Sequence, residues 1–79
     1  MFDPSENDRQ ELWNFVAEVR AVLQQQVQPE GFNIGINDGT AAGQTVHHAH
    51  VHIIPRRHGD VADPRGGVRW ILPQKAKYW

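Results

Sequence analysis

The sequence has no cysteine, which excludes a disulfide framework and a thiolate zinc site. It also lacks any apolar run approaching the ~20 residues that span a bilayer. The opening Met1-Phe2-Asp3-Pro4-Ser5-Glu6 has neither the basic nor the apolar region of a signal peptide, so a soluble cytoplasmic chain is expected. Charge of one sign is not in excess: the formal net charge is −1. No basic patch interleaves with aromatics, which argues against polymeric nucleic acid as a partner. What remains is 79 residues, 39% hydrophobic and 22% charged, the composition of one small globular domain. A domain this short buries only ~60–65% of its unfolded surface, so a partner chain, most simply a second copy, is expected to complete it.

The charges are unevenly placed. Residues 1–30 carry Asp3, Glu6, Asp8, Glu11, Glu18 and Glu30 against Arg9 and Arg20, whereas all other basic residues, Arg56 to Lys77, follow residue 31. The first segment, 1–30, reads as one amphipathic helix. Asp3 is placed to cap it, Pro4 suits the first helical position and Glu6 closes a capping box. Leu12, Phe15, Val16, Val19, Val22 and Leu23 form a single apolar stripe, and Gln28-Pro29-Glu30-Gly31 stops the helix. Phe32 to Asn37 alternates as a strand with one face in a core. Asp38 to Gln44 is a small-residue loop with Gly39 and Gly43, and a second strand runs from Thr45 to Ile54, stopped by Pro55. Residues 31–57 thus form a strand-loop-strand unit and 58–79 a C-terminal extension. In that extension Val68 to Leu72 reads as a third short extended piece and Pro73 to Trp79 as irregular. The whole chain, 1–79, is a single domain.

Four of the five histidines lie within six positions: His47, His48, His50 and His52. Residues at i, i+2 and i+4 of a strand share a face, so His48, His50 and His52 form a row, with Ala49, Val51 and Ile53 behind them to pack on the helix. His47 faces away from the row and His58 sits in a turn; both read as incidental. The row has three readings. One is a polar exposed face. Another is a metal site, although backbones spanning ~13 Å are far apart for three rings to converge on one ion. The third is nucleophilic catalysis on phosphate, because a neutral imidazole attacks phosphorus and leaves again when water arrives. Such a nucleophile needs neighbours that hold its tautomer, donate to phosphate oxygens and protonate the leaving group. The glycine loop fits this third reading: at Gly39 and Gly43 the backbone can approach an anion closely enough for amide N–H groups to point at it, and Gln44 and Thr45 add side-chain donors.

At these residues the chain resembles the histidine triad (HIT) superfamily. Gly43-Gln44-Thr45-Val46-His47-His48-Ala49-His50-Val51-His52-Ile53-Ile54-Pro55-Arg56 matches its His-φ-His-φ-His-φ-φ signature. The Gln-Thr-Val lead-in, the Pro-Arg ending and the Asp38-Gly39 loop are similar to the Fhit-like branch, the dinucleoside polyphosphate hydrolases. The resemblance implies an α+β fold, one long helix packed on an antiparallel sheet, truncated here because the family's N-terminal half normally adds further strands and most of the base and ribose pocket. A partner chain is then expected to complete the sheet as a homodimer. It also implies that His50 is the nucleophile, that His52 contacts the phosphate oxygens, and that His48 orients the central ring. Gln44 would reach the bridging phosphate or the attacking water, and Asn37, Gly43, Gln44, Thr45 and Val46 would bind ribose and phosphate.

The implied reaction is hydrolysis or transfer at the α-phosphate of a nucleotide or dinucleotide, through a nucleotidyl-histidine. No covalent cofactor and no protein-held metal is implied, with Mg2+ accompanying the nucleotide. Ala49 departs from the pattern, which has a bulkier aliphatic residue there. Gly66 to Pro73 is similar to the C-terminal extension of bacterial members; in it Arg69 could meet a distal phosphate and Trp70 stack on a base, but the preferred reading has Trp70, Tyr78 and Trp79 covering apolar surface. Two alternatives stay open: a catalytically silent nucleotide-binding or phosphate-binding module, and a histidine metal site.

Overall fold

A computed structural model describes residues 5–44 and 50–79. Its elements run α1 (Glu6–Val27), β1 (Gly31–Ile36), a 3-10 turn (Thr40–Ala42), β2 (Val51–Arg56), a second 3-10 turn (Gly67–Ile71) and α2 (Pro73–Ala76). This is an α+β arrangement: one long helix on a two-stranded antiparallel sheet.

Ser5 caps α1, its hydroxyl accepting from the Asp8 amide at 3.1 Å and satisfying one of the donors that a helix start leaves open. Glu6 is therefore the first helical residue and closes no capping box; the expected Asp3 and Pro4 signals lie outside the described residues. The stop at Gln28-Pro29 is as expected, with Gln28 itself taking the left-handed conformation (φ 53°). The helix has no basic residue in its last turn. Instead Arg57, from the end of β2, donates to the carbonyls of Gln28, at 3.0 Å, and Val27, placing a cation at the negative end of the helix.

The strands pair from Gly31 opposite Arg56 to Ile36 opposite Val51. By alternation Phe32, Ile34 and Ile36 share a face with Val51, Ile53 and Pro55. That face turns to α1, where the Arg20 guanidinium lies 4.8 Å above the Phe32 ring. From the helix stripe Val16 is buried and Leu12, Val19 and Leu23 are half-buried, while Phe15 and Val22 stay exposed.

Three expectations are corrected. Pro55 does not stop the second strand, which continues through Arg56, because a strand with an open edge accommodates a proline wherever its backbone need not donate to the partner. The Thr45 to Ala49 part of that strand lies outside the described residues. Val68 to Leu72 is not extended: Gly67–Ile71 is a 3-10 turn, entered through Gly66 (φ 91°) and Gly67 (φ 50°), a left-handed pair that turns the chain away from a strand path. Finally, the tail is not irregular throughout, since Pro73–Ala76 forms one helical turn with proline at its start.

Candidate active site

The site is built on the sheet face opposite α1. Val51 and Ile53 point to the helix side, so His52 and Ile54 project from the other. His52 pairs with Gly35, which leaves space beside the imidazole, and a cavity of about 280 Å3 opens there, bounded by Asn37, His52, Ile54, Val68 and Ile71 among others. His50 is exposed and stands one residue ahead of β2. One step beyond the last pair of the register it falls opposite Asn37. His48, Thr45 and Val46 lie outside the described residues, so of the expected histidine row His50 and His52 are described.

The loop between the strands is held by its own bonds. Gly43 takes φ 91° and donates its amide to the Thr40 carbonyl at 3.0 Å; Gly39, also at φ 91°, donates to the side-chain Oε1 of Gln44 at 2.7 Å. The Gln44 amide returns to the Gly39 carbonyl at 3.1 Å. Both glycine amides thus bond within the loop. The glycines are needed for backbone conformation, since a left-handed φ strains other residues. Gly43 also sits against Asn37, whose Nδ2 lies 3.7 Å from where a Cβ on Gly43 would be. The structure thus brings Asn37 together with Gly43 on one side and with His52 on the other.

The Pro-Arg ending of the motif anchors the site from below. Arg56 grips Asp60 through Nε at 2.6 Å and a terminal nitrogen at 2.7 Å, and its other terminal nitrogen donates to Asn33 Oδ1. This fork, with the Arg57 amide at 3.2 Å, holds the Asp60 carboxyl well below the usual carboxylate range, the side-chain bond from Arg56 being the largest cause. Arg56 is correspondingly raised. Nearby, the His58 amide donates to Glu30 Oε1 at 2.8 Å and its Nε2 lies 3.6 Å from Oε2, so His58 ties the extension to the end of α1 and stays on the surface.

The distal-phosphate role considered for Arg69 is corrected as well. Its guanidinium donates to the Ala76 and Lys75 carbonyls at 2.9 and 3.0 Å and lies 5.3 Å from the Tyr78 ring, where it closes the end of α2. Trp70 donates through Nε1 to the Arg65 carbonyl at 2.6 Å and meets the edge of Trp79 at 6.3 Å. Val68 and Ile71, which reach the His52 cavity, were not singled out in the sequence; their three-residue spacing in a turn-rich tail was the available signal. Among the described residues no group of three or more His, Cys, Asp or Glu side chains is placed to hold a metal ion, and no described helix is long and apolar enough to cross a membrane.

Comparison with known proteins identifies the family. The HIT domain family model matches residues 1–59. The chain is 41% identical over 61 residues to a bis(5'-nucleosyl)-tetraphosphatase (asymmetrical) of Schizosaccharomyces pombe, covering 77% of this chain and 34% of that protein. It is 36% identical over 58 residues to a bis(5'-adenosyl)-triphosphatase of Dictyostelium discoideum, covering 73% and 39%. With an AP-4-A phosphorylase of Mycobacterium tuberculosis it shares 39% over 59 residues, covering 73% and 30%. The chain therefore spans about a third of the length of these relatives. No solved structure matches it. On the strength of the match over residues 1–59, the chain belongs to the HIT domain family.

Proposed function

We propose that this chain acts at the α-phosphate of a nucleotide, of the dinucleoside polyphosphate or nucleoside phosphoramidate type, with His50 as nucleophile. The observation that carries the reading is the exposed His50 immediately ahead of a strand whose His52 shares a cavity with Asn37, in a member of a family whose named relatives are a tetraphosphatase, a triphosphatase and a phosphorylase. In the first step a ring nitrogen of His50 bonds to the α-phosphorus, and the bond from phosphorus to the leaving group breaks with its electron pair going to that group, which takes up a proton. In the second, water attacks phosphorus, the P–N bond breaks, and the nucleoside monophosphate leaves with His50 restored. His52 donates to the phosphate oxygens and His48 orients the His50 ring. Asn37, Gly43, Thr45 and Val46 line the ribose and phosphate. Gln44 contributes its amide N–H end, since its Oε1 already accepts from Gly39. Mg2+ enters with the polyphosphate as part of the substrate.

We also propose that the chain works as a homodimer. Both strands of the described sheet have an open edge, a pairing surface, and α1 leaves Phe15 61% and Val22 49% exposed.

A second reading is a nucleotide-binding module without turnover. Incubation with diadenosine polyphosphate and with a fluorogenic adenosine phosphoramidate separates the two. Turnover that disappears in His50→Ala, with a nucleotidyl adduct trapped on the wild-type chain by acid-free mass spectrometry, supports the enzyme. Binding of AMP with no turnover of either compound leaves the module. Zinc retained through dialysis at one ion per chain, with stability lost to a chelator, would overturn both in favour of a histidine metal site.

A further inference from the structure

Arg56 does more than anchor the turn after β2, because it decides which end of a neighbouring amide stays open. A guanidinium only donates, so the half-buried Asn33 meets it with Oδ1. Nδ2, with its two N–H donors, is thereby turned away. Arg56 is itself fixed, since Asp60 holds its Nε at 2.6 Å and its second terminal nitrogen at 2.7 Å. Nδ2 lies beside Gly67, where a Cβ would come within 3.1 Å of it, and the bare glycine leaves the donor uncovered. Among the described residues none accepts from Nδ2. Asn33 is thus a carboxamide with its acceptor end engaged and its donor end open.

That residue borders the cavity of about 280 Å3 beside His52. By alternation the sheet face opposite α1 carries Asn33, Gly35 and, one step past β1, Asn37. Asn37 stands at the His50 end of this row. Gly35, opposite His52, leaves its middle bare. Asn33 closes the far end, about 13 Å from Asn37 at the rise of an extended chain. Ile54 faces Asn33 across the strand pair, and the flank between the two carboxamides is otherwise apolar. Apolar walls with a polar group at the edge suit a flat ring whose rim forms hydrogen bonds. A nucleotide with its phosphate at the histidines and its ribose at Asn37 directs its base toward Asn33.

We propose that Asn33 is a specificity-determining residue that reads the edge of the base and, held donor-outward by Arg56, selects a 6-oxopurine over adenine. The inference rests on the nucleotide reading above and adds to it the class of base. A 6-oxopurine presents two acceptors, N7 and O6, on the edge where adenine presents the N7 acceptor beside an amino donor. A fixed N–H donor matches the first edge. The second sets donor against donor and leaves both short of a partner, which a desolvated site penalises. An Asn33 free to rotate would offer its carbonyl to the adenine amino group and accept either base. The bond from Arg56 prevents that rotation.

Calorimetric titration of the full chain with inosine 5'-monophosphate and with AMP tests this. The inosine nucleotide is expected to bind about tenfold more tightly, a difference of about 1.4 kcal/mol. Asn33→Asp keeps an oxygen for Arg56 and puts an acceptor where the donor was, so the order should reverse in favour of AMP. Asn33→Ala removes the group and should bring the two affinities within about twofold of each other, with the fold of each variant checked by circular dichroism. Equal affinity of the wild-type chain for the two nucleotides, or a preference for AMP, overturns the assignment of Asn33 while leaving nucleotide binding standing. So does a parallel loss of both affinities in the variants with their ratio unchanged, which is what a purely structural Asn33 would give. If neither nucleotide binds, the nucleotide reading falls and the role of Asn33 falls with it.

Discussion

Arg56 holds both carboxylate oxygens of Asp60, at 2.6 and 2.7 Å, and with its remaining nitrogen reaches Asn33 on the neighbouring strand. One guanidinium thereby fixes the end of β2, the turn after it and the strand against which the extension lies. Bidentate geometry is the circumstance in which an exposed ion pair contributes measurably, and its strength falls with salt. The Asp60 carboxyl is held below its ordinary value by this fork. A group with a depressed folded pKa adds stability that is complete above the unfolded value, about 3.9, and is lost as pH falls below it toward the folded one. Asp60→Asn should therefore be less stable than wild type at pH 6, with the gap closing progressively below about pH 4. Urea unfolding at both pH values, repeated in 0.5 M salt, checks it; a gap independent of pH would show that the carboxylate charge is irrelevant.

Arg57 performs a separate task at the other end of the same turn. Its two bonds to the Val27 and Gln28 carbonyls satisfy acceptors that the helix end leaves open, in place of the basic residue absent from its last turn. Arg57→Ala is expected to cost about 1 kcal/mol, the scale of a charged side chain at a helix C-terminus. Arg57→Lys should recover part of that, retaining the charge and losing the fork. Hydrogen exchange should show the loss first at the amides of the last α1 turn, near Val27.

These two arginines mark the limit of what the sequence makes legible. The helix was readable because Leu12, Val16, Val19 and Leu23 recur at helical spacing, and these are the stripe residues that the sheet covers. The strands were readable from alternation, and β1 differs from expectation by one residue at each end. The His-x-His pattern pointed to the family. What spacing could not show were contacts between distant residues. Arg56 to Asn33 spans 23 positions and Arg57 to Val27 spans 30. The run Val68 to Leu72 looks like a strand because its residues are apolar, and the two positive-φ glycines before it decide otherwise. Gln44 reads as a phosphate donor from its place in the loop, and the bond that its Oε1 accepts from Gly39 could not be read from spacing.

That last bond makes Gln44 a residue with two separable ends. Gln44→Glu keeps an acceptor for the Gly39 amide and removes the N–H donors, whereas Gln44→Ala removes both. If the donor end serves the phosphate, Gln44→Glu should lower kcat by about a hundredfold, the usual scale for deleting one preorganised donor to a developing oxyanion. It should do so while leaving the melting temperature close to wild type. Gln44→Ala should lose activity and stability together, because the loop amide of Gly39 is then unpartnered within the protein. Steady-state kinetics beside thermal unfolding separate these outcomes. Unimpaired turnover in Gln44→Glu would assign the side chain to loop structure alone.

The proposed association of two copies would cover apolar surface that the described residues leave exposed. Among them Val16 and Ala76 are the buried apolar residues outside proline, and on α1 Phe15 and Val22 stand two turns apart on one uncovered flank of the stripe. Apolar side chains at that spacing offer a second helix a continuous row, and the open strand edges offer it backbone partners. Sedimentation velocity at low micromolar concentration should give a dimer. Phe15→Asp should weaken it at least tenfold, because association would then desolvate a carboxylate with no opposing cation. A folded monomer in the wild type, or a dimer indifferent to Phe15→Asp, would place the missing burial on some other surface.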